Sequence, residues 1–329
     1  MAEAPGRTAV APSGLDAVFR DERGHLFGVL YRMTGSTADA EDLVQSTFER
    51  ALERPPADTG RPWRPWLVRV AVNLGRDHLR RRRRRDYDGP WLPGPLETPD
   101  GELPFGVPEP VGTQGRYELM ESVSYAFLLA LEELTPTQRA VLLLRDVFEY
   151  DGRETAELLG LSEAGARQHL RRARLAMDGY DSTREERARY GPRARGNAAM
   201  QDILARFLGA VASGDPKQVE SFLAEDVVLE TDAGGEYHAA RIPVVGRNKV
   251  ARFYVNIARI SGIPHPSIRL LNGEPAVVLD LVDPKPGISP RVATIATLDE
   301  AGRMKRIYSV LTRRKLHGIA PAAAPATGG

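Results

Sequence analysis

Residues 154–174 read ETAELLGLSEAGARQHLRRAR, and their spacing decides the fold of the middle of the chain. Ala156 is small where one helix must pass close to a second. Gly160 follows four residues later, where the turn between the helices requires a positive φ. Leu161 tucks inward and Ser162 is a good helix N-cap. Ala166 and Leu170 then face the core, which leaves Arg167, Gln168, Arg171, Arg172 and Arg174 outward. This is the layout of a helix-turn-helix whose second helix offers its side chains to base edges and phosphates. The plainer reading is a helical hairpin with a solvated basic face; the arginine cluster favours DNA. Gly165 inside the second helix costs about 1 kcal/mol against Ala.

Helical spacing continues outward from about Tyr117 to Tyr180. Before it, Asp86–Gly115 is rich in Pro and Gly and has no period, which predicts an extended linker. Trp91-Leu92 predicts that this linker docks, because an aromatic anchor is out of place in a free tether. Further upstream a helix runs from Trp63 or Pro65 to about Arg85. Trp66, Leu67, Val70, Ala71 and Leu74 form its buried stripe, and Arg69, Asn73, Arg76, Arg80 and Arg84 recur on the opposite face. From Arg61 to Arg85 ten Arg accompany one acid, Asp77, whereas Asp86–Glu118 holds one Arg and seven acids. A solvated helix usually mixes its charges to avoid self-repulsion, so the Arg80–Arg85 run predicts a nearby polyanion. The first helical block spans about Leu15–Leu52. Gly35-Ser36-Thr37 breaks it, and Ala40, Leu43, Val44, Thr47, Phe48, Ala51 and Leu52 share one face of the second half.

Downstream, Arg184–Arg195 is a basic connector. The chain then turns α+β: helices over Met200–Ser213 and Pro216–Leu223, strands over Val227–Thr231, Ser267–Leu271, Ala276–Val282, Arg291–Leu298 and Arg303–Thr312, and a helix near Asn248–Ala258. Asn272-Gly273 and Asp299–Gly302 are hairpin turns.

The 329 residues suffice for two or three domains, and 42% apolar with 27% charged residues is an ordinary folded composition. No run is long and apolar enough to span a bilayer, and the first residues lack the pattern of a secretory signal. The expected compartment is the cytoplasm, with no membrane contact. The absence of Cys excludes disulfides and thiolate zinc sites. The six His are scattered, so no metal and no cofactor are expected.

Leu30–Gln45 (LYRMTGSTADAEDLVQ), Trp66-Leu67, the set Asn73, Asp77 and Arg80, and Leu134–Arg174 resemble regions 2.1–2.2, 2.3–2.4 and 4 of the extracytoplasmic-function (ECF) sigma factors of the sigma-70 family. The resemblance implies a non-enzymatic subunit that binds core RNA polymerase, at its β′ clamp helices and β flap, and directs it to −35/−10 promoter DNA. It implies that Asp39, Glu41, Asp42, Leu43 and Gln45 dock on the clamp helices. Arg69, Asn73, Arg76, Asp77, Arg80, Arg81 and Arg84 would open the −10 element and hold its unpaired strand. Ser162, Arg167, Gln168, Arg171, Arg172 and Arg174 would read the −35 element. Trp63 and Trp66 are candidates for stacking on bases, although Trp66 fits the buried stripe.

The last block resembles a SnoaL-like domain, a cone-shaped α+β barrel that follows the sigma core in one subgroup of the family. Trp91-Leu92-Pro93-Gly94-Pro95 is similar to that subgroup's Trp-Leu-Pro-Glu-Pro linker motif, with Gly94 in place of Glu. Asp232-Ala233-Gly234-Gly235-Glu236 resembles a degenerate Asp-Gly-Gly-Gly-Lys motif without its Lys. The resemblance implies that Trp91, Leu92, Pro93, Asp232, Gly234 and Gly235 make regulatory contacts between this domain and the sigma core. A small apolar ligand in the barrel is a further candidate partner. Asp226, Glu230, Asp232, Tyr237 and His238 are the side chains suited to acid–base work. The sequence brings no two of them together, so no catalytic residue is assigned.

The expected fold is multidomain: two all-α helical domains followed by the α+β barrel. Its parts are a leader (1–14), region 2 (15–88), a linker (89–116), region 4 (117–180), a connector (181–198), the SnoaL-like domain (199–318) and a tail (319–329). The main rival is a stand-alone helix-turn-helix regulator with a ligand-sensing C-terminal domain. Asp39–Gln45 argues against it, since that acidic helix has no role in a simple DNA binder. An enzyme with a DNA-binding appendage is the third class.

Overall fold

Three helices open the chain: α1 (Pro12–Thr34), α2 (Thr37–Glu53) and α3 (Arg64–Arg83). Ser36 caps α2, its hydroxyl accepting from the backbone N–H of Asp39. The computed structural model describes residues 12–84, 87–99, 118–119, 121–183, 196–261 and 266–321. The expected leader therefore meets α1 at Pro12. The rest of the leader, most of the connector, linker positions 100–116 and the last eight residues of the tail lie outside the described residues.

The second helical block comprises α4 (Tyr125–Ala130), α5 (Pro136–Leu142) with a π-turn over Leu143–Val147, α6 (Gly152–Leu159), α7 (Glu163–Ala176) and α8 (Asp178–Ser182). Gly160 sits between α6 and α7 at φ +63°, the left-handed region the spacing required. The two helical blocks are not independent. One continuous apolar cluster runs from Leu26, Leu30, Leu67 and Leu79 to Phe127, Leu143, Phe148 and Met177. Two fully buried arginines stitch the seam. Arg32 of α1 donates to Gly28 O (2.8 Å), Leu119 O (3.0 Å) and Ser122 Oγ (2.7 Å). Arg139 of α5 reaches back to Met33 O at 2.9 Å.

The last block has α9 (Asn197–Ser213), α10 (Pro216–Glu220) and α11 (Arg247–Ser261) against six strands. These are β1 (Leu223–Asp232), β2 (Val244–Val245), β3 (Pro266–Leu271), β4 (Glu274–Asp280), β5 (Arg291–Leu298) and β6 (Met304–Val310), in sheet order β2-β1-β6-β5-β4-β3. Among the described strands, only β1 and β6 pair parallel. Asn272 (φ +55°) and Gly273 (φ +79°) form the predicted hairpin between β3 and β4. Alternate strand residues point to opposite faces. Val277, Ala296 and Ile307 face Leu204, Phe207 and Val255 of the helices, while Ala276, Val278 and Ile295 face outward. That outer face is covered too, by Leu92 of the linker, Tyr125 of α4, and Leu316 and Ile319. Ile319 is 3% exposed, so the first position assigned to a tail is part of the core. The short strand β2, paired with β1 through Val228 and Val245, had no periodic signal in the sequence.

Candidate functional site

The acids of α2 face the C-terminal domain. Arg314, just after the last strand, donates to Asp39 at 2.8 Å and also pairs with Asp42, and His317 lies 3.0 Å from Glu41. His78 of α3 approaches Asp39 from the other side, at 3.5 Å. Burial works against ionising Asp39, but His78 and Arg314 outweigh it and hold the carboxyl well below the usual range. Gln45 is exposed and bonds to Glu49. Leu43 lies on the buried face where its helical spacing placed it, not on the docking surface that the resemblance implied. It is 6% exposed among the core residues, because its spacing joins it to the stripe of Ala40, Val44 and Thr47. Leu52, placed on that stripe from sequence, is 68% exposed.

Along α3, Arg69, Arg81 and Arg84 are exposed, and Asp77 and Arg80 form an exposed pair at 3.0 Å. Arg76 corrects the expectation of an open basic face. It is 8% exposed and donates to Leu159 O (3.0 Å), at the end of α6, and to Thr137 Oγ1 (3.4 Å). Asn73 leans the same way, its amide 3.4 Å from Leu158 O. The all-Arg end is also partly engaged within the chain. Arg82 pairs with Glu132, and Arg83 donates to the carbonyls of Glu132 and Leu134. Trp63 is buried and Trp66 only partly so, the reverse of the expected order.

On α7, Arg167, Gln168, Arg171 and Arg172 are exposed, as the spacing predicts. The Ser162 hydroxyl caps the helix by accepting from Gly165 N–H at 3.1 Å. Arg174 departs from the group. It makes a two-pronged pair with Asp146 (2.9 and 2.7 Å), whose side chain is 3% exposed. A buried carboxylate needs such a partner, so Arg174 ties α7 to the preceding turn.

The linker lies in the seam between the helical blocks and the sheet. Trp91 rests beside two cations, with the Arg82 guanidinium 3.7 Å and Lys315 Nζ 4.0 Å from its ring centre. Asp232, fully buried at the end of β1, accepts from Tyr87 Oη (2.6 Å), Leu92 N–H (2.7 Å), Thr312 Oγ1 (3.0 Å) and Lys315 Nζ. Gly94 N–H donates to Gly35 O at 2.7 Å, while Tyr31 and Tyr125 donate to Gly94 O and Pro93 O. A Cβ on Gly94 would stand 2.6 Å from Lys315 O, so only glycine permits this approach. Lys315, from beyond the last strand, brings an ammonium to Asp232. Burial pulls Lys315 down to about 8 against the attraction of Asp232. Gly234 and Gly235 lie against Tyr87 and Asp88 of the linker. Asn272, read from sequence only as a turn residue, is fully buried and joins three parts. It accepts from Leu96 N–H (3.0 Å) and donates to Tyr31 Oη (2.7 Å) and Val123 O (2.8 Å).

Of the acid–base candidates, Asp226 and His238 are exposed and Asp232 is committed to the linker. His238 borders an apolar cavity of about 130 Å³ between α9, α11 and the sheet. Among the described residues no group of acids and His can hold a metal, and no helix is long and apolar enough to cross a membrane.

Comparison with known proteins bears on this arrangement. The Sigma-70 region 2 family matches residues 18–85 and the Sigma-70 region 4 family matches residues 124–177. The ECF RNA polymerase sigma factor SigJ of Mycobacterium tuberculosis is 33% identical over 308 residues, covering 91% of this chain and 92% of SigJ. The chain is an ECF sigma factor. It directs RNA polymerase to promoters, and it carries the α+β SnoaL-like domain behind its two helical sigma regions. Two further sigma factors of M. tuberculosis are similar to it. SigG is 35% identical over 67% of this chain and 62% of its own length, and the probable factor SigI is 28% identical over 89% and 92%. The crystal structure of M. tuberculosis SigJ matches this sigma factor with a TM-score of 0.65 at 29% identity, covering 94% of this chain and 99% of that one. The stand-alone regulator is not favoured, since the match spans region 2 as well as region 4.

Proposed function

We propose that this sigma factor is held closed by its own C-terminal domain and that polymerase binding opens it, in the cytoplasm where the enzyme works. Asp39, Glu41, Asp42 and Gln45 are the residues proposed to meet the β′ clamp helices. The observation that carries the reading is that Arg314 and His317 already occupy three of those acids. The proposed −10 surface is obstructed as well, because Arg76 and Asn73 bond to the end of α6. In the open form Arg69, Asn73, Arg76, Asp77, Arg80, Arg81 and Arg84 would follow the unpaired strand. Arg167, Gln168, Arg171 and Arg172 would read the −35 element, and region 4 would engage the β flap.

Energetics support an equilibrium rather than a permanent lock. Partly exposed ion pairs contribute about 0–1 kcal/mol each, so the Arg314 and His317 contacts yield to a competing surface. Covalent attachment keeps the domain at high effective concentration, which lets modest contacts hold the closed form. As a specificity subunit the chain needs no catalytic group of its own, and a small apolar ligand of the SnoaL-like domain belongs to the same reading. The test is Arg314→Glu combined with His317→Glu, which opposes the α2 acids instead of pairing them. Core polymerase should bind this variant about tenfold more tightly, with more transcript from a −35/−10 template in a purified system. Equal affinity and output would reject the closed-form reading.

A further inference from the structure

The cavity in the C-terminal domain is built unlike a packing defect. Its walls are Phe207, Val211, Phe253, Val277, Leu279 and Leu311, and no Lys, Arg, Asp or Glu lines it. Two buried hydroxyls in this wall lack a well-formed hydrogen bond: Thr231 Oγ1, and Tyr254 Oη, whose nearest polar neighbour is the Ser309 side chain. Thr231 is only 5% exposed. The neighbouring pair Thr294 and Ser309 satisfy each other at 3.0 Å. Burial pushes the Tyr254 phenol well above its ordinary value, so it remains a neutral donor. Leaving buried hydroxyls without an acceptor is costly, and one carbonyl oxygen placed between them would accept from both while the rest of its molecule meets the apolar wall. The volume, about 130 Å³, is close to that of an apolar cavity that holds one benzene ring.

We propose that this cavity binds a neutral, single-ring or similarly small hydrocarbon-like molecule bearing one carbonyl oxygen, which accepts from Tyr254 and Thr231, and that its occupancy strengthens the closed form. The coupling half rests on the closed-form reading above; the site itself does not. The link is short. Thr231 lines the cavity and the next residue is Asp232, the acceptor that holds Leu92, Tyr87 and Lys315. Leu311 lines the cavity as well, its N–H donates to Asp232 O at 2.8 Å, and Thr312 beside it donates to the Asp232 carboxylate. While Asp232 grips the linker, Thr231 and Leu311 are held in place and the cavity is preorganised. Once the grip is lost, the same walls are free to relax. A ligand that prefers the preorganised walls must strengthen the grip in return, by linkage.

The test uses the full chain with two probes of one shape, cyclohexanone and its hydrocarbon counterpart methylenecyclohexane, in calorimetric titrations. Cyclohexanone should bind saturably and at least about fivefold more tightly than the hydrocarbon. Tyr254→Phe with Thr231→Val, which keeps the shape and removes both hydroxyls, should erase that preference while the hydrocarbon still binds. Absent binding, or equal binding of the two probes to the unsubstituted chain, overturns the site. For the coupling, core polymerase should weaken cyclohexanone binding by the same factor by which cyclohexanone weakens binding of core polymerase, and Asp232→Asn should weaken cyclohexanone binding too. Ketone binding that is indifferent to Asp232→Asn overturns the coupling. If the Arg314→Glu, His317→Glu variant binds core polymerase no more tightly than the unsubstituted chain, the closed-form reading has failed, and the calorimetric comparison still judges the site.

Discussion

Asp232 and Asn272 carry the tightest demands at the level of single residues. Each is fully buried and satisfied by groups from distant parts of the chain. Asp232→Ala leaves the Lys315 ammonium and the Leu92 N–H without an acceptor, and breaking a buried pair from one side costs about 3–5 kcal/mol. We expect a loss of that order in chemical denaturation, with faster amide exchange across residues 87–98. An effect confined to the C-terminal sheet would contradict the latch role. Asn272→Asp keeps the shape and the acceptor for Leu96 but cannot donate to Tyr31 and Val123. It should loosen the closed form, which a rise in radius of gyration measured by X-ray scattering would record. The turn role of Asn272 was legible because Asn-Gly favours two positive φ values. Its junction role was not, since its partners lie 149 and 241 positions away.

Among the elements, α7 separates two kinds of arginine that look alike in sequence. Arg171 is exposed and is proposed to meet DNA, so Arg171→Ala should leave stability unchanged and reduce the salt dependence of DNA binding by about one phosphate contact. Arg174→Ala should instead destabilise the helical block by about 1–3 kcal/mol, a discounted figure because Arg174 is partly exposed while Asp146 is not. A reversal of these two outcomes in denaturation and filter-binding experiments would overturn the assignment. Helix periodicity delivered α2, α3, α6 and α7 nearly to their ends, because short-range spacing fixes which face is buried. It failed for Arg76, Arg82 and Arg83, whose partners belong to another block. The run Ala276–Leu279 held an unused clue. Continuous apolar residues, without alternation, mark a strand buried on both faces, and both faces of β4 are indeed covered.

For the whole molecule, acidity should favour opening. His25 sits in the seam between the helical blocks, its ring centre 6.0 Å from that of Phe148, with neither nitrogen hydrogen-bonded. Burial, then the charges of Arg64 and Arg32, lowers it from 6.5 to about 4. An opened or unfolded chain takes up the proton more readily, so this contribution is complete above pH 6.5. It is lost progressively as the pH falls from 6.5 towards 4, up to about 3 kcal/mol. Thermal melts should show that decline, and His25→Leu should flatten it; an unchanged slope would remove His25 as the cause. Loss of the Asp39 contacts adds to it only at still lower pH, since that carboxyl stays ionised further down.

The outer face of the C-terminal sheet has one more consequence. Ala276, Val278, Ile295 and Val310 are shielded by the linker, α4 and the end of the chain. Any release of the sigma regions strips part of that shield and leaves an oily surface facing water. Under the proposed closed-form equilibrium, activation would be self-limiting: an opened molecule that finds no polymerase would be driven to fold back or to aggregate. Escape from inhibition and loss of colloidal solubility should then rise together across a series of latch variants.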